Sequence, residues 1–361
     1  MTAVLSPNGP TVTHLSEPPR RLLVGTLHGV GLLERESLSG PWRMAGVSLT
    51  ESHISALATI PGGVIAGAHS GGLFFSVNGR DWEDRGHGIA VDHVFCLQTQ
   101  LVQGRTRVYA GTQPVSLFRS DDLGLHWREL SAIGAVPGTE KWTFPPPPHH
   151  AHTKSLTFVP GYDDLIYACI EQGALLKSTD GGLTWLELDS YYDPADRWYR
   201  DIHRLVVLPS NPDCLMMASG MGLYRSKDAG RTWEKRTGFD FRIGYPDHII
   251  LSPDDERTIF LSGSHEDPST WRKSHHANAA VMVSRDGGDT WTESGEGLPD
   301  NARPNIEAMN MAVWPGGFML FVGNTDGEVY ASEDSARTWR QIGAGFAPVS
   351  KVGHYRNLQP A

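Results

Sequence analysis

Histidines recur at one position of a repeated pattern in this chain. Segments with the spacing His-x-x-x-Leu begin at His53, His93, His152 and His354 and read HISAL, HVFCL, HTKSL and HYRNL. Neutral imidazoles that converge from several strands are good ligands for divalent transition metals. We therefore expect these four histidines to bind one such ion, with Zn, Fe, Cu, Mn and Ni all compatible. The alternative is a histidine-lined channel that holds only water.

Carboxylates occur at the corresponding place in the later part of the chain. Counting back eight residues from Pro209 and Pro315 gives Asp201 and Glu307, and Asp247 lies close to a third such position. A carboxylate opposite a metal can orient a ligating imidazole or accept a proton from metal-bound water. We expect Glu307, Asp201 and Asp247 to be the catalytic residues. Two of them would equally suit glycoside hydrolysis, for which the spacing of the carboxyl groups is decisive.

A repeated box indicates which elements position these residues. Copies such as STDGGLTW occur at 76–82, 120–127, 178–185, 226–233, 284–291 and 332–339, and a degenerate seventh ends at Trp42. Seven of the eleven tryptophans close these copies. Ser and Asp side chains accept N–H groups in tight turns, Gly supplies a positive φ, and Trp buries a large apolar surface. The box therefore has a structural role, and we assign no chemistry to it.

Short alternating runs precede each box and predict strands. Segments such as VIAGAHSGGLFFS combine β-branched and aromatic residues with Gly-rich turns. Four strands per repeat are typical of a propeller blade. We predict an all-β fold, a seven-bladed β-propeller with four-stranded antiparallel blades. Residues 20–361 form this single domain, and residues 1–19 are an N-terminal extension.

The box copies resemble the Asp-box (BNR) repeat, S-x-D-x-G-x-T-W. This repeat is shared by sialidases, xyloglucan-cleaving glycosidases, sortilin-type receptors and photosystem II assembly factor propellers. The resemblance covers the whole chain and implies the propeller architecture rather than one activity. It also implies that the boxes lie between the third and fourth strands of each blade, on the face opposite the ligand site.

The HYRNL segment suggests how the ring closes. Its spacing repeats that of the innermost strands, so we expect residues 350–360 to supply the innermost strand of the first blade. Residues 20–45 would supply the other three strands. Such a closure leaves no open sheet edge.

Four long insertions are predicted to surround the channel mouth. They span 131–151, 188–200, 236–246 and 264–279, and loops of this length in compact domains are usually functional. Their aromatic and polar side chains suit a small-molecule pocket. The residues expected to line it are His28, His69, His203, His248, Trp142, Trp198, Arg200 and Trp271.

Composition limits the partners. The formal net charge is −10, from 31 basic and 41 acidic residues, and no basic run suits nucleic acid or an anionic membrane surface. No apolar stretch is long enough to span a bilayer, and no secretory signal is evident. Three widely spaced cysteines predict reduced thiols and a cytoplasmic protein. The expected partner is a small-molecule substrate, and the sequence sets no oligomeric state.

Three functions fit these observations. The first is a metal-dependent enzyme, either a hydrolase, a lyase or an oxygenase, that acts on a small molecule above the channel. The second is a metal-free glycoside hydrolase or carbohydrate-binding propeller with aromatic loops as sugar platforms. The third is a non-enzymatic scaffold that docks a protein partner. A deep pocket favours the first two over the third.

Overall fold

The computed structural model is a ring of seven β-sheets around a central channel. It describes residues 1–91, 93–145, 147–191, 200–238, 240–294, 296–300 and 303–358, and it describes His354 by its backbone alone. The innermost strands of neighbouring sheets contact one another around a closed circle. The predicted seven-bladed propeller is therefore confirmed.

Blades 2 to 6 follow one plan, in which four consecutive strands pair antiparallel from the channel outwards. Blade 2 contains Ile54–Ile60, Gly63–Ala68, Leu73–Ser76 and Glu83–Asp84. Blade 3 contains Val94–Val102, Arg105–Thr112, Ser116–Ser120 and Arg128–Glu129. Blade 4 contains His152–Val159, Tyr162–Glu171, Ala174–Ser178 and Leu186–Glu187. Blade 5 contains Ile202–Leu208, Asn211–Ser219, Gly222–Ser226 and Glu234–Lys235. Blade 6 contains Tyr245–Leu251, Ile259–Ser264, Ala280–Ser284 and Thr292–Ser294.

The N-terminal residues complete the two remaining blades. Blade 1 contains Thr2–Leu5, Arg21–Thr26, Gly29–Glu34 and Arg43–Ser48. Blade 7 contains Ile306–Trp314, Gly317–Asn324, Val329–Ser332 and Arg340–Gly343, with Val12–His14 as a fifth strand. Both N-terminal strands pair parallel to their neighbours. Residues 1–19, which we expected to form an extension outside the propeller, therefore supply a strand to each of two of its sheets.

The expected closure of blade 1 by the C-terminal segment is wrong. Thr2–Leu5 takes that place, with Thr2 opposite Arg21 and Leu5 opposite Val24. Ala3, Val4 and Leu5 are buried, so the apolar segment TAVL fills the innermost position that HYRNL would have occupied. HYRNL instead lies in the 3-10 helical turn Gly353–Leu358.

A plug, residues 6–11, fills the channel between the two N-terminal strands. The Arg204 guanidinium donates to the Pro7 carbonyl oxygen at 3.0 Å, and the Asn310 amide donates to that of Pro10 at 2.6 Å. Asn8 exchanges backbone hydrogen bonds with Ser55 and Leu97. The plug thus contacts blades 2, 3, 5 and 7 and closes the channel.

A strap, residues 349–358, crosses the top of the channel. His53 Nε2 donates to the Ser350 carbonyl oxygen at 2.8 Å, and Val352 packs against Phe95 and Phe144. At its far end the Asn357 amide donates to the Pro268 carbonyl oxygen. The strap therefore spans from blade 2 to the blade 6 insertion.

The other helical segments are short. They are the 3-10 turns Ser131–Ala135 and Thr139–Lys141 and the α-helical turn Trp271–Ser274. Within the described ranges no helix has both the length and the apolar character needed to cross a membrane.

Each box forms the turn between the third and fourth strands of its blade. In blade 4, Asp180 Oδ1 accepts the Leu183 and Thr184 N–H groups, and Ser178 Oγ accepts the Gly182 N–H. The closing tryptophans also join blades. Trp82 Nε1 donates to Ser48 Oγ of blade 1 at 2.8 Å, and Trp127 Nε1 donates to the Arg85 carbonyl of blade 2 at 2.8 Å.

The box aspartates make stability depend on pH. The hydrogen bonds from the Thr232 hydroxyl and N–H hold the pKa of Asp228 at about 2. A carboxyl with a lowered folded-state pKa stabilises the fold above its unfolded pKa of about 4, and this contribution is lost as the pH falls towards 2. Asp228→Asn should therefore reduce stability at pH 7, and most of this difference should vanish by pH 2.5.

Urea unfolding at both pH values measures this effect. Asp300→Asn, at an exposed aspartate outside the boxes, serves as the control and should change little at either pH. The first box already carries Asn78, whose Oδ1 accepts the Arg80 N–H at 2.8 Å, so an amide fits the turn. An equal loss at pH 7 and pH 2.5 would contradict the electrostatic explanation.

Candidate functional site

A buried group of ionisable side chains lies between the plug and the strap. Nearly all belong to the first three residues of the innermost strands or to the residue just before them. The group comprises His152, Lys154, Glu171, Asp201, His203, Tyr245, Asp247, Glu307 and Lys351, and each residue is buried. So many charges out of water require mutual pairing, which fixes their positions.

Lys351 ties the strap to this group. Its ammonium pairs with Asp247 Oδ1, and its backbone N–H donates to Glu307 Oε2 at 2.9 Å. The Ser350 hydroxyl donates to the same Glu307 oxygen at 2.7 Å. Burial alone would raise the pKa of Asp247, but Lys351 lowers it below the usual range. Burial raises the pKa of Glu307.

These contacts bear on two of the three residues expected to be catalytic. The side chains of Asp247 and Glu307 both bind residues of the strap, and neither side chain lines the pocket described below. Asp201 differs because it faces that pocket. The structure therefore separates the three acids into two that hold the strap and one that meets the pocket.

Glu171 is a functional candidate that the sequence analysis missed. Its Oε2 accepts from His152 Nε2 at 2.6 Å and lies 2.9 Å from the Lys154 ammonium. Burial would raise the pKa of this carboxyl, but Lys154 and His152 lower it well below its usual value. Glu171 is therefore ionised, with Oε2 occupied and Oε1 directed towards His203, 3.9 Å from its Nε2.

Position in the sheet offered a signal for Glu171. It ends the second strand of blade 4, directly opposite His152 on the first strand. Cross-strand partners lie close together, so a carboxylate opposite a predicted histidine was a candidate partner for it.

Asp201 and His203 meet Glu171 from blade 5. Asp201 Oδ1 lies 3.3 Å from His203 Nε2, while its Oδ2 accepts the Tyr245 hydroxyl at 2.8 Å. Because the Pro246 carbonyl can only accept, the 2.6 Å contact places a proton on His203 Nδ1. His203 Nε2 is buried and makes no hydrogen bond to any residue that the structure describes, despite the nearby carboxylate. The ligand atoms of Glu171, Asp201 and His203 all lie within 4.8 Å of one another.

A pocket with a volume of about 410 Å³ opens above Glu171 and Asp201. These two carboxyls line it together with Tyr245. The walls come from two insertions and the strap, and include Phe144, Pro145, Pro268, Arg272, Arg356 and Asn357. The pocket therefore combines an acidic floor, an apolar wall and polar groups at the rim, as small-molecule sites do. Its position on top, opposite the boxes, is the one that the resemblance implied.

The structure does not bring His53 and His152, two of the predicted histidine ligands, to one point. The rings of His53, His69, Phe95 and His152 form a series, with neighbouring centroids 4.0, 4.6 and 3.4 Å apart. Two rings thus separate His53 from His152, because side chains from blades 2 and 3 fill the space between them. Burial lowers the pKa of His53 to about 4.

The other two predicted ligands are His93 and His354. His93 is exposed at the top of blade 3, and it is absent from any group of metal-ligating atoms among the described side chains. The side chain of His354 lies outside the described part of the chain, and its backbone belongs to the strap rather than to an innermost strand.

Most residues predicted to line the pocket have other contacts. Trp271 is buried against Ala277 and Leu358, and Trp142 packs beside the blade 4 core. The Arg200 guanidinium contacts Glu187 and the Gly173 carbonyl. His28 is exposed, His69 stacks on Phe95, and His248 Nε2 donates to the Pro7 carbonyl of the plug at 3.0 Å. Trp198 lies outside the described residues.

Removing the strap's ammonium should destabilise the protein strongly. Lys351→Met leaves the Asp247 carboxylate buried without a cation, which should lower the free energy of unfolding by about 3–5 kcal/mol. Adding Asp247→Asn removes the stranded charge and should restore much of this loss. Urea unfolding of both single variants and the double variant measures the coupling.

Lys227→Met is the matched control. Lys227 is exposed, and its replacement should change the free energy of unfolding by less than about 0.5 kcal/mol. Strictly additive effects of the Lys351 and Asp247 substitutions would show that the pair does not hold the strap.

Comparison with known proteins shows the fold and a partial sequence likeness. No protein-family model matches the chain. The xyloglucanase Xgh74A of Acetivibrio thermocellus is 25% identical over 216 residues, which cover 50% of this chain and 24% of the enzyme. A xyloglucanase from a Paenibacillus species is 23% identical over 51% of this chain and 21% of its own length. The chain thus spans about a quarter of the length of these curated relatives.

Solved structures resemble the ring itself. An ancestral GH74 enzyme superimposes with a TM-score of 0.59 and 18% identity, over 80% of this chain and 38% of that enzyme. YCF48 bound to D1 peptide gives a TM-score of 0.57 and 15% identity, over 91% of this chain and 95% of that one. At these identities the similarity establishes a shared propeller fold.

Proposed function

We propose that this protein binds a saccharide in the pocket above the channel and hydrolyses a glycosidic bond there. The observation that carries the proposal is the acidic floor, where Glu171 and Asp201 from adjacent blades face one pocket. Water and a sugar hydroxyl both need a proton acceptor and hydrogen-bonding groups, which carboxylates supply. The partial likeness to proteins named xyloglucanases supports a glycoside as the substrate class.

Glu171 is the candidate proton acceptor. Its lowered pKa keeps it ionised at neutral pH, and Oε2 is already held by His152 and Lys154. Only Oε1 therefore remains to act on an attacking water. Asp201 Oδ1 faces the same space, while the Tyr245 hydroxyl fixes Oδ2. Glu171 takes the proton of the water as the water oxygen bonds to the anomeric carbon, and it returns this proton to the sugar oxygen that leaves when the glycosidic C–O bond breaks. Asp201 helps to hold the water.

The pocket walls suit a saccharide. Phe144 offers an apolar face, and Gln172, Arg272 and Asn357 place amide and guanidinium groups at the same cavity. A sugar ring combines apolar C–H faces with hydroxyls and matches this mixture. A pocket of about 410 Å³ with an acidic floor also argues against a scaffold that docks a protein on a closed top face.

Substitution of either floor carboxyl should abolish hydrolysis without unfolding the protein. The panel consists of xyloglucan, other β-glucans and aryl glycosides, followed by reducing-sugar release. Glu171→Gln and Asp201→Asn should each lower kcat/KM about 10²–10⁴-fold, mainly through kcat, because proton transfer is lost. Circular dichroism confirms that each variant is folded.

Glu140→Gln provides the matched control at an exposed glutamate of the insertion beside the pocket, and its activity should equal that of the wild type. The proposal fails if both floor variants retain full activity. It also fails if the wild type neither binds nor cleaves any member of the panel.

A further inference from the structure

We infer that Glu171, Asp201 and His203 form a binding site for one divalent transition-metal ion such as Zn²⁺ or Mn²⁺. This set differs from the four-histidine set predicted from the sequence. Its catalytic significance rests on the proposed hydrolysis, whereas its existence rests on the geometry alone.

The state of the His203 ring is the first argument. Its Nδ1 proton is donated to the Pro246 carbonyl, so a neutral ring presents a lone pair at Nε2. That lone pair faces Asp201 Oδ1 at 3.3 Å and Glu171 Oε1 at 3.9 Å, and within the described part of the chain it accepts no hydrogen bond. Three electron-rich atoms so close together in a buried site repel one another. A cation bound between them removes the repulsion.

The distances suit such an ion. Donors placed about 2.1 Å from a tetrahedral metal lie about 3.4 Å apart. The separations from His203 Nε2 to the two carboxylates bracket this value. Carboxylate and imidazole donors together suit Zn²⁺ and Mn²⁺.

Each of the three donor side chains is also held by a partner on the atom that does not face the proposed ion. His152 and Lys154 hold the second oxygen of Glu171. Tyr245 holds that of Asp201, and Pro246 holds the other nitrogen of His203. Metal ligands are typically fixed by such partners on their far sides. The three free atoms are therefore preset towards one point.

The open side of the site faces the pocket. Glu171 and Asp201 line the cavity, so a fourth position would be accessible to water or a sugar hydroxyl. Three protein donors with one open position are typical of catalytic rather than structural zinc sites. A bound ion would lower the pKa of its water. With an ion bound, Glu171 Oε1 and Asp201 Oδ1 are its ligands, so the ion rather than Glu171 would activate the water in the proposed hydrolysis.

Metal titration of the full-length protein, purified without a His-tag and stripped with chelator, tests the site. Calorimetry with Zn²⁺ alone and Mn²⁺ alone should give one ion per chain, and elemental analysis should confirm the number. His203→Gln and Asp201→Asn should each weaken binding more than about 100-fold. Tyr245→Phe, which removes an outer partner, should weaken it about 10–100-fold.

Two controls separate this site from other histidines. His53→Gln and His93→Gln should leave affinity and stoichiometry unchanged. Binding lost in these variants and kept in His203→Gln would overturn the assignment. The melting temperature provides a second readout, because an ion bound only by the folded state raises it. This rise should occur in the wild type and be absent from Asp201→Asn.

Two further results would overturn the site. One is the absence of stoichiometric binding by either ion. The other is an NMR spectrum of the metal-free and metal-treated protein in which both His203 nitrogens remain protonated, since a proton would then replace the cation. The two proposals fail separately. A bound ion without glycoside cleavage refutes the function alone, and the absence of stoichiometric binding refutes the metal site alone. Chelator-resistant cleavage by an ion-free protein refutes only the catalytic role of the ion.

Discussion

The central channel imposes the constraint on which the rest of this structure depends. Seven innermost strands meet around an axis, and whatever fills that axis must satisfy their inward-facing polar groups. The protein fills it from both ends of its own chain. The plug enters with neutral backbone groups that Arg204 and Asn310 bind, whereas the strap enters with the charge of Lys351. The buried carboxylates of Asp247 and Glu307 are compatible with folding because the strap supplies their partners.

The propeller architecture could be predicted from the sequence because the sequence pattern of a blade is repeated many times. Six box copies fix the turns. The proline-based count locates the start of the innermost strands to within a residue at Ile202 and Ile306, and the His-x-x-x-Leu spacing does so at Ile54 and His152. The strand that closes blade 1 has no repeated sequence pattern, so the repeats could not predict it. HYRNL matches the spacing of an innermost strand, but TAVL has the apolar side chains that the position buries. Its parallel pairing with Arg21–Thr26 leaves no local signature.

The site was only partly predictable for a related reason. Equivalent positions in a repeat place residues around one axis, and Asp201 and His203 were found in this way. These equivalent positions do not determine which side chains fill the space between neighbouring blades. The rings of His69 and Phe95 stack between His53 and His152, which replaces a common ligand point by a packed column. Glu171 and Lys154 escaped attention because their importance depends on pairing across strands and across blades.

The strap both covers the top of the channel and forms part of the pocket wall. The strap buries Asp247 and Glu307 through Lys351 and Ser350, and its next residues, with Arg356 and Asn357, wall the cavity over Glu171 and Asp201. Lys351 thereby neutralises Asp247 on one side of the channel. On the other side, Glu171 and Asp201 each direct one oxygen at His203, and both residues line the pocket. The strap therefore divides a ring of similar acids into two that it contacts directly and two that line the pocket, a division that the repeat alone does not encode.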